Sequence, residues 1–430
     1  MLKKLLLIAK LANKNKINIY LVGGAIRDYL LKYKINDFDF VLKKKAFKIS
    51  REFANKINGK HLTIDKNNEL YRVIKKDLEF DFTVFKGKNI KDDLKYRDFT
   101  INAMAIKDIH FKDISLEIKD NFNKSFIIDP YKAKVDLDNH ILRAVNKNIF
   151  DRDPLRILRA IRFKAKYLFN IESETEKLMK KNKEKLKNVA AERIHNEILK
   201  IFSYNNSAEI FKYLKEEINL FDNGKESLDN FPAYNILKLI DLSNKKNELV
   251  FYLDEEKLPL FKITVILFET KKPLDEIESL LKDLRFSNKE ISYILTLLNE
   301  HNKIFNLYKG ENLKKKSIYE IIKVAKEYTP DTILFSFFTV INSKTFKDNF
   351  KKRKDYREYI SDFLNKYTTI KEKIKKPLIN GRDIMKILNI KESSEIGHYI
   401  EKLKKAQALD LVNNQEDAVD FIKRLNNQNK

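Results

Sequence analysis

The chain has 430 residues, 43% of them hydrophobic, and carries a formal net charge of +25 from 87 Lys and Arg against 62 Asp and Glu. That length exceeds one compact core and points to two or more domains. The cationic excess points to a polyanionic partner, nucleic acid before an anionic membrane surface. The absence of cysteine excludes disulfides and thiolate metal sites. The six histidines are dispersed and none precedes Asp, which argues against a histidine–aspartate phosphohydrolase module.

In chain order, MLKKLLLIAKLANKNK has a short apolar core broken by Lys10 and lacks a small-residue cleavage site. It reads as an amphipathic first helix rather than a signal peptide. No run of about 18 apolar residues follows, so nothing is expected to span a membrane, and the cytoplasm is the expected location. Short apolar runs over 18–22 and 37–42 read as strands. AFKISREFANKI (46–57) has helical spacing. LYRVIK (70–75) and LEFDFTVF (78–85) flank Lys76–Asp77, a hairpin turn by spacing though without the usual glycine. From about residue 150 the pattern is helical almost throughout, and KKP (375–377) opens a last helical unit. The expected class is α+β: a head of mixed β-sheet with helices, then all-α segments.

Asp37 and Asp39 are two apart in a strand, so both side chains leave one face. Glu79 and Asp81 do the same in theirs. If the two strands are neighbours, one of these acids joins the pair, and Asp81 is the favoured one. Three carboxylates suit two Mg²⁺ ions about 3.5–4 Å apart, which clamp the attacking and leaving oxygens of an in-line displacement. Just upstream, Gly23 and Gly24 follow a strand and open a helix, where backbone N–H groups approach phosphate. Arg27, one turn on, offers a fork for phosphate. Each feature alone is common; in this order they read as a place for a triphosphate and its metal ions.

GGAIRD followed by DFDF resembles the head of the class II tRNA nucleotidyltransferases and bacterial poly(A) polymerases, of the polymerase-beta superfamily. DDLKYRDFTINAMA (92–105) is similar to that family's D-L-x-R-R-D-F-T-I-N-A, with Tyr96 where the first arginine is usual and Arg97 kept. IIDPYKAKVDLDNHILRAV (127–145) resembles the next motif, with Ala133 and Lys134 where glycines often sit. LINGRDIMKILNIKESSEIGHYIEKLKKAQ resembles a common C-terminal segment. The resemblance implies a nucleotidyltransferase head over 1–145, a neck with the nucleobase-recognition helices over 146–205, and a helical body (206–370) and tail (371–430) that bind tRNA. It implies Asp37, Asp39 and Asp81 as catalytic, with Asp37 and Asp39 holding metal. It implies Gly23, Gly24, Arg27 and Arg97 on the nucleotide.

In DRDPLRILRAIRFKAK (151–166) and just beyond it, Leu155, Leu158, Ile161, Ala165 and Leu168 form an apolar stripe that predicts a helix. Asp153, Arg156, Arg159 and Arg162 are spaced by three and fall near one face. Asp153 and Arg156 match the D and R of the family's protein template, E-D-x-x-R. A carboxylate accepts the amino group of cytosine or adenine, and a guanidinium donates to their ring acceptors. Uracil and guanine oppose both groups, and such mismatches discriminate by factors of roughly 10⁴–10⁵. Arg159 and Arg162 match positions that also touch the nucleotide. Arg152 replaces the usual Glu, and Glu192 of AAERIHNEI, similar to E-R-I-x-x-E, is expected to orient Arg156 instead.

Only KGKNIKD separates Phe85 from Asp93. In the family, a longer segment there is tied to switching the pocket from C to A, so the short one favours C or CC addition over full CCA. The expected partners are the tRNA 3′ acceptor end, CTP and ATP, with Mg²⁺ as cofactor and no obligate protein partner. Poly(A) polymerase is the alternative activity, and a catalytically inactive RNA-binding protein of the same fold is the non-enzymatic one. KKNKEKLKN (180–188) and KKKS (314–317) are candidate phosphate contacts or solvated helix faces.

Overall fold

The computed structural model describes residues 2–113, 126–218, 232–245, 253–310 and 313–428. Its contacts divide the chain into two compact units, residues 1–197 with 214–220, and residues 198–213 with 221–430.

The first unit is organised by a sheet of seven strands among the described residues: β1 (Ile19–Val22), β2 (Asp37–Leu42), β3 (Lys60–Asp65), β4 (Leu70–Lys75), β5 (Leu78–Val84), β6 (Ala105–Lys107) and β7 (Ile127–Ile128). Their order is β3-β4-β5-β2-β1-β6-β7, and β2 with β5 is the parallel pair. The 70–75 and 78–84 strands form the expected hairpin. Its turn takes Lys76 into the left-handed region at φ 54°, where glycine is the usual occupant. The strand over 60–65 was not legible from its pattern. It lies at the sheet edge with none of its residues buried, and so lacks a buried alternate face.

Period-two alternation decides which face of β2 and β5 is core. Phe38 stacks on Phe80 at 5.3 Å between ring centroids and Phe40 on Phe82 at 5.2 Å. Phe53 of α3 (Ala46–Ile57) meets Phe80 edge-on at 5.1 Å. All five rings are fully buried. α1 (Leu2–Lys14), helical as expected, buries Leu5, Ile8, Leu11 and Ala12. The segment with Ala133 and Lys134 folds without glycine. Lys132 takes φ 57°, and the Asp129 carboxylate accepts from the Ala133 and Lys134 N–H groups at 2.7 and 3.0 Å.

The single helix expected over 151–166 is two. One spans Ile149–Arg152 and the next Arg156–Tyr167. Asp153 between them is extended (φ −152°, ψ 98°), because Pro154 disfavours helical backbone at the residue before it. Asp153 therefore stands ahead of the arginine helix rather than on its ridge.

The second unit is helical throughout its described residues. Lys262 is wholly buried, paired with Asp241 at 2.9 Å and donating to the Tyr204 carbonyl at 2.7 Å. The last three helices close their own core around Ile384, Leu403 and Ile422. Lys315 of KKKS pairs with Asp410. No helix among the described residues is long and apolar enough to cross a membrane.

Asp331 is buried in this unit, 3.5 Å from the Lys257 ammonium. Burial pushes its carboxyl up to about 6, against the opposing pull of Lys257. A folded value above the ordinary one means that ionisation destabilises the fold, so the penalty is absent below about pH 4 and complete above about pH 6. We expect up to ~3 kcal/mol of wild-type stability to be lost across that window, and Asp331→Asn to lack this loss, in denaturant unfolding at stepped pH.

Candidate active site

The same alternation that buries the phenylalanines sends the carboxylates to the other face. Asp37 registers with Glu79 and Asp39 with Asp81 across the parallel pair, so the four acids lie side by side. Like charges directly opposite are unfavourable, and the site answers with arginines. Arg72 of β4 registers with Asp81 and grips it with two hydrogen bonds, at 2.7 and 2.8 Å, and pairs with Glu79 at 2.5 Å. The bond to Asp81 holds the guanidinium above its ordinary value. Asp39 remains raised, first by burial and then by Asp81 and Asp37, with Arg97 and Arg72 opposing.

Gly23 is where β1 comes off the sheet beside Asp39. Its φ of 74° disfavours a side chain, and a Cβ there would lie 3.4 Å from Asp39 Oδ2 and 3.6 Å from Arg97 Nη1. Its N–H is used, donating to Met104 O at 3.3 Å. What Gly23 supplies is close approach. Arg27, expected on phosphate, is 6% exposed and committed elsewhere. It donates to Asp28 at 2.9 Å and to Asn102 at 2.5 Å, and lies over the rings of Phe163 and Tyr167. The Tyr167 hydroxyl donates to the same Asp28 oxygen at 2.6 Å. The buried charge is solvated by the fold through these carboxylate, amide and ring contacts.

The RDFTINA segment lies between these groups and the arginine helix. Arg97 pairs with Asp93 at 2.9 Å. Asp98, missed in the sequence, is a buried hub. One oxygen accepts from the Phe99 and Asn102 amides, both at 2.8 Å, and the other from Arg159 at 2.7 and 2.9 Å. Burial works to raise its carboxyl, but Arg159 and the hydrogen bonds outweigh it and hold Asp98 well below the ordinary carboxylate range. Arg162 is paired with Glu197 at 2.7 Å. Both arginines expected on the nucleotide therefore carry fixed carboxylate partners, while the Arg159 side chain stays 34% exposed.

Arg156 donates to the Tyr96 carbonyl at 2.8 Å and to that of Arg97 at 3.4 Å. Burial lowers it from its ordinary value, with Asp98 and Asp153 opposing. Arg193, the neighbour of Glu192, touches Asp153: its Nη2 donates to Asp153 Oδ2 at 2.8 Å. Glu197, the second glutamate of ERIHNE, was the readable signal for the partner of Arg162. The signal for Arg72 lay in the hairpin count, since a two-residue turn sets 72 opposite 81.

Whether the acids suit a divalent cation follows from their chemistry. Asp37 is exposed and Asp39 half-buried on one face, both hard oxygen donors beside like charge that Arg97 and Arg72 offset only in part. No three acidic or histidine side chains among the described residues converge at metal-holding distances, because Asp81 is turned to Arg72. The fit is thus to Asp37 and Asp39, while the Asp81 carboxylate is held by Arg72.

Three family models match the chain: the poly A polymerase head domain over 19–143, the probable RNA and SrmB-binding site of polymerase A over 168–223, and tRNA nucleotidyltransferase domain 2 (putative) over 261–422. A CCA-adding enzyme of Lactobacillus gasseri is 30% identical over 59% of this chain and 65% of its own length, so the chain spans just under two thirds of that relative. The Lactobacillus helveticus CCA-adding enzyme is 26% identical over 93% of this chain and 91% of its own. A CC-adding tRNA nucleotidyltransferase of Synechocystis is 24% identical over 94% and 93%. Among solved structures, the Thermotoga maritima CCA-adding enzyme complexed with tRNA shares the fold at a TM-score of 0.65 and 22% identity, over 98% of this chain and 94% of that one. A CCA-adding enzyme complexed with CTP does so at 0.67 and 23%, over 99% and 94%.

The hub yields a test. Because Asp98 is depressed when folded, its pair with Arg159 contributes fully above about pH 4 and is lost only as pH falls below that. Asp98→Asn should cost the protein about 3–5 kcal/mol at neutral pH by denaturant unfolding, with the deficit shrinking only below about pH 4.

Proposed function

We propose that this chain, which belongs to the family of tRNA nucleotidyltransferases and bacterial poly(A) polymerases, adds C residues from CTP to the 3′ end of tRNA. The observation that carries the reading is the position of Arg97. Its guanidinium lies beside Gly23 and Asp39, and its carbonyl accepts from Arg156, so one residue ties the acid face to the base-reading pair.

In this reading the 3′ hydroxyl attacks the α-phosphorus of CTP, a new P–O bond forms, and pyrophosphate leaves. Asp37 and Asp39 would hold Mg²⁺, which when bound supplies charge neutralisation and a more acidic hydroxyl. Asp39 and Asp81 face the attacking oxygen from adjacent strands. Gly23 lets phosphate approach the sheet end, and Arg97 offers a cation there. Asp153 accepts the cytosine amino group and Arg156 donates to the ring acceptors, a pairing that opposes uracil. Arg159 and Arg162 extend the basic wall while their carboxylates keep them in place.

The segment between β5 and the RDFTINA motif favours CC over full CCA addition. It is short and tied to its own helix, Ile90–Leu94: the Lys86 and Lys88 N–H groups donate to Asp93 and Asp92, both at 2.9 Å. A segment held this way has little freedom to remodel the pocket for adenine. The division into head (1–145), neck (146–205), body (206–370) and tail (371–430) assigns tRNA binding to the last two.

Purified protein with Mg²⁺ and tRNA transcripts ending at the discriminator, at C or at CC should incorporate labelled CTP on the first two and neither UTP nor GTP. Labelled ATP on the CC-ended transcript would instead make it a complete CCA enzyme, and repeated ATP addition a poly(A) polymerase. Asp37→Ala should reduce incorporation to background while tRNA binding by gel shift is retained; near-normal turnover would remove the acid face from the chemistry.

A further inference from the structure

The residue before Arg97 and the residue before Asp153 touch. The Arg152 guanidinium lies over the Tyr96 ring, 4.9 Å from its centroid, and Tyr96 is 42% exposed. These are also the positions where the chain departs from the two motifs it otherwise matches, a tyrosine in place of an arginine and an arginine in place of a glutamate. Arginine and glutamate at these places would attract as unlike charges. A tyrosine face and an arginine attract through the ring quadrupole.

What each partner is attached to suggests what the contact does. The Tyr96 carbonyl accepts from Arg156 Nη2 at 2.8 Å, and the next carbonyl, that of Arg97, from Nη1 at 3.4 Å. Arg152 is the last residue of its helix and immediately precedes the extended Asp153. The stack therefore joins the backbone that holds Arg156 to the turn that carries Asp153. Arg156 is otherwise held by carbonyls, the third being Ile149 at 3.5 Å. Those contacts join the 96–97 backbone to the Ile149 carbonyl, which also accepts from the Asp153 N–H at 3.3 Å, and the stack adds a side-chain link between the same two segments.

We propose that the Tyr96–Arg152 stack is a positioning and specificity-determining element, which sets the spacing of the Asp153 carboxylate and the Arg156 guanidinium that read the base. The inference rests on the base-reading role proposed above. It makes Tyr96 and Arg152 a coupled pair, and Arg152 a partner of an aromatic face rather than a loose surface cation.

The test is a cycle in the full-length protein, with kcat and KM for CTP and for UTP on a transcript ending at the discriminator. Arg152→Ala and Tyr96→Ala should each lower the preference for CTP over UTP roughly three- to tenfold, with tRNA affinity unchanged. Tyr96→Phe keeps the aromatic face and should keep the preference. Tyr96→Arg alone sets arginine against arginine and Arg152→Glu alone removes the cation over the ring; each should lose it, and the two together should regain it. An unchanged preference in both alanine variants, or a double exchange that equals the sum of its single changes, overturns the proposal. If Asp153→Ala and Arg156→Ala also leave the preference intact, the base-reading role fails and takes the stack with it. If those two lose it while the 96 and 152 variants do not, the stack alone is wrong.

Discussion

The parallel pairing of β2 with β5 sets phenylalanine against phenylalanine on one face of the sheet, and so it sets carboxylate against carboxylate on the other. The magnitudes say which effect wins. Burying each ring is worth about 1.5–3 kcal/mol and each stacked pair about 0.5–1.5 kcal/mol more. Like charges facing each other across strands cost about 0.2–1 kcal/mol per pair. A register slip by one residue would separate the acids but would turn the phenylalanines into water. The core therefore enforces a crowded anionic face that its own charges would not choose.

Around that face, the positive charge is rationed. Arg72 and Arg97 compensate the acids, Asp98 and Glu197 anchor Arg159 and Arg162, and Asn102 with Asp28 anchors Arg27. An arginine fixed by a carboxylate loses less freedom when an anion arrives than one that sways in solvent. The network also explains why neighbouring arginines on one helix tolerate each other: Arg159 and Arg162 each have a carboxylate drawn from a different element, and Arg156 is held by backbone carbonyls.

Asp331 and the Lys262–Asp241 pair show the same economy in the helical unit. A buried ammonium is kept where a carboxylate and a carbonyl both reach it. In Asp331 burial outweighs the Lys257 ammonium at 3.5 Å, so its proton is held more tightly.

Much of the head was legible because it follows short-range rules. Strand alternation put Asp37 with Asp39 and Glu79 with Asp81, the hairpin turn set its own register, and the ordered motifs carried the family. The sequence by itself determined which residues could be acids on a face, cations on a helix, or rings in a core, since periodicity needs only a few neighbouring residues. Tertiary structure alone decided which partner each took. It brought β5 beside β2, committed Arg27 to Asn102 and Asp28, and laid Arg152 on Tyr96 from more than fifty positions away. Such pairings depend on chain paths that no local pattern encodes, because a charge or a ring answers to whatever packing places within a few ångströms of it.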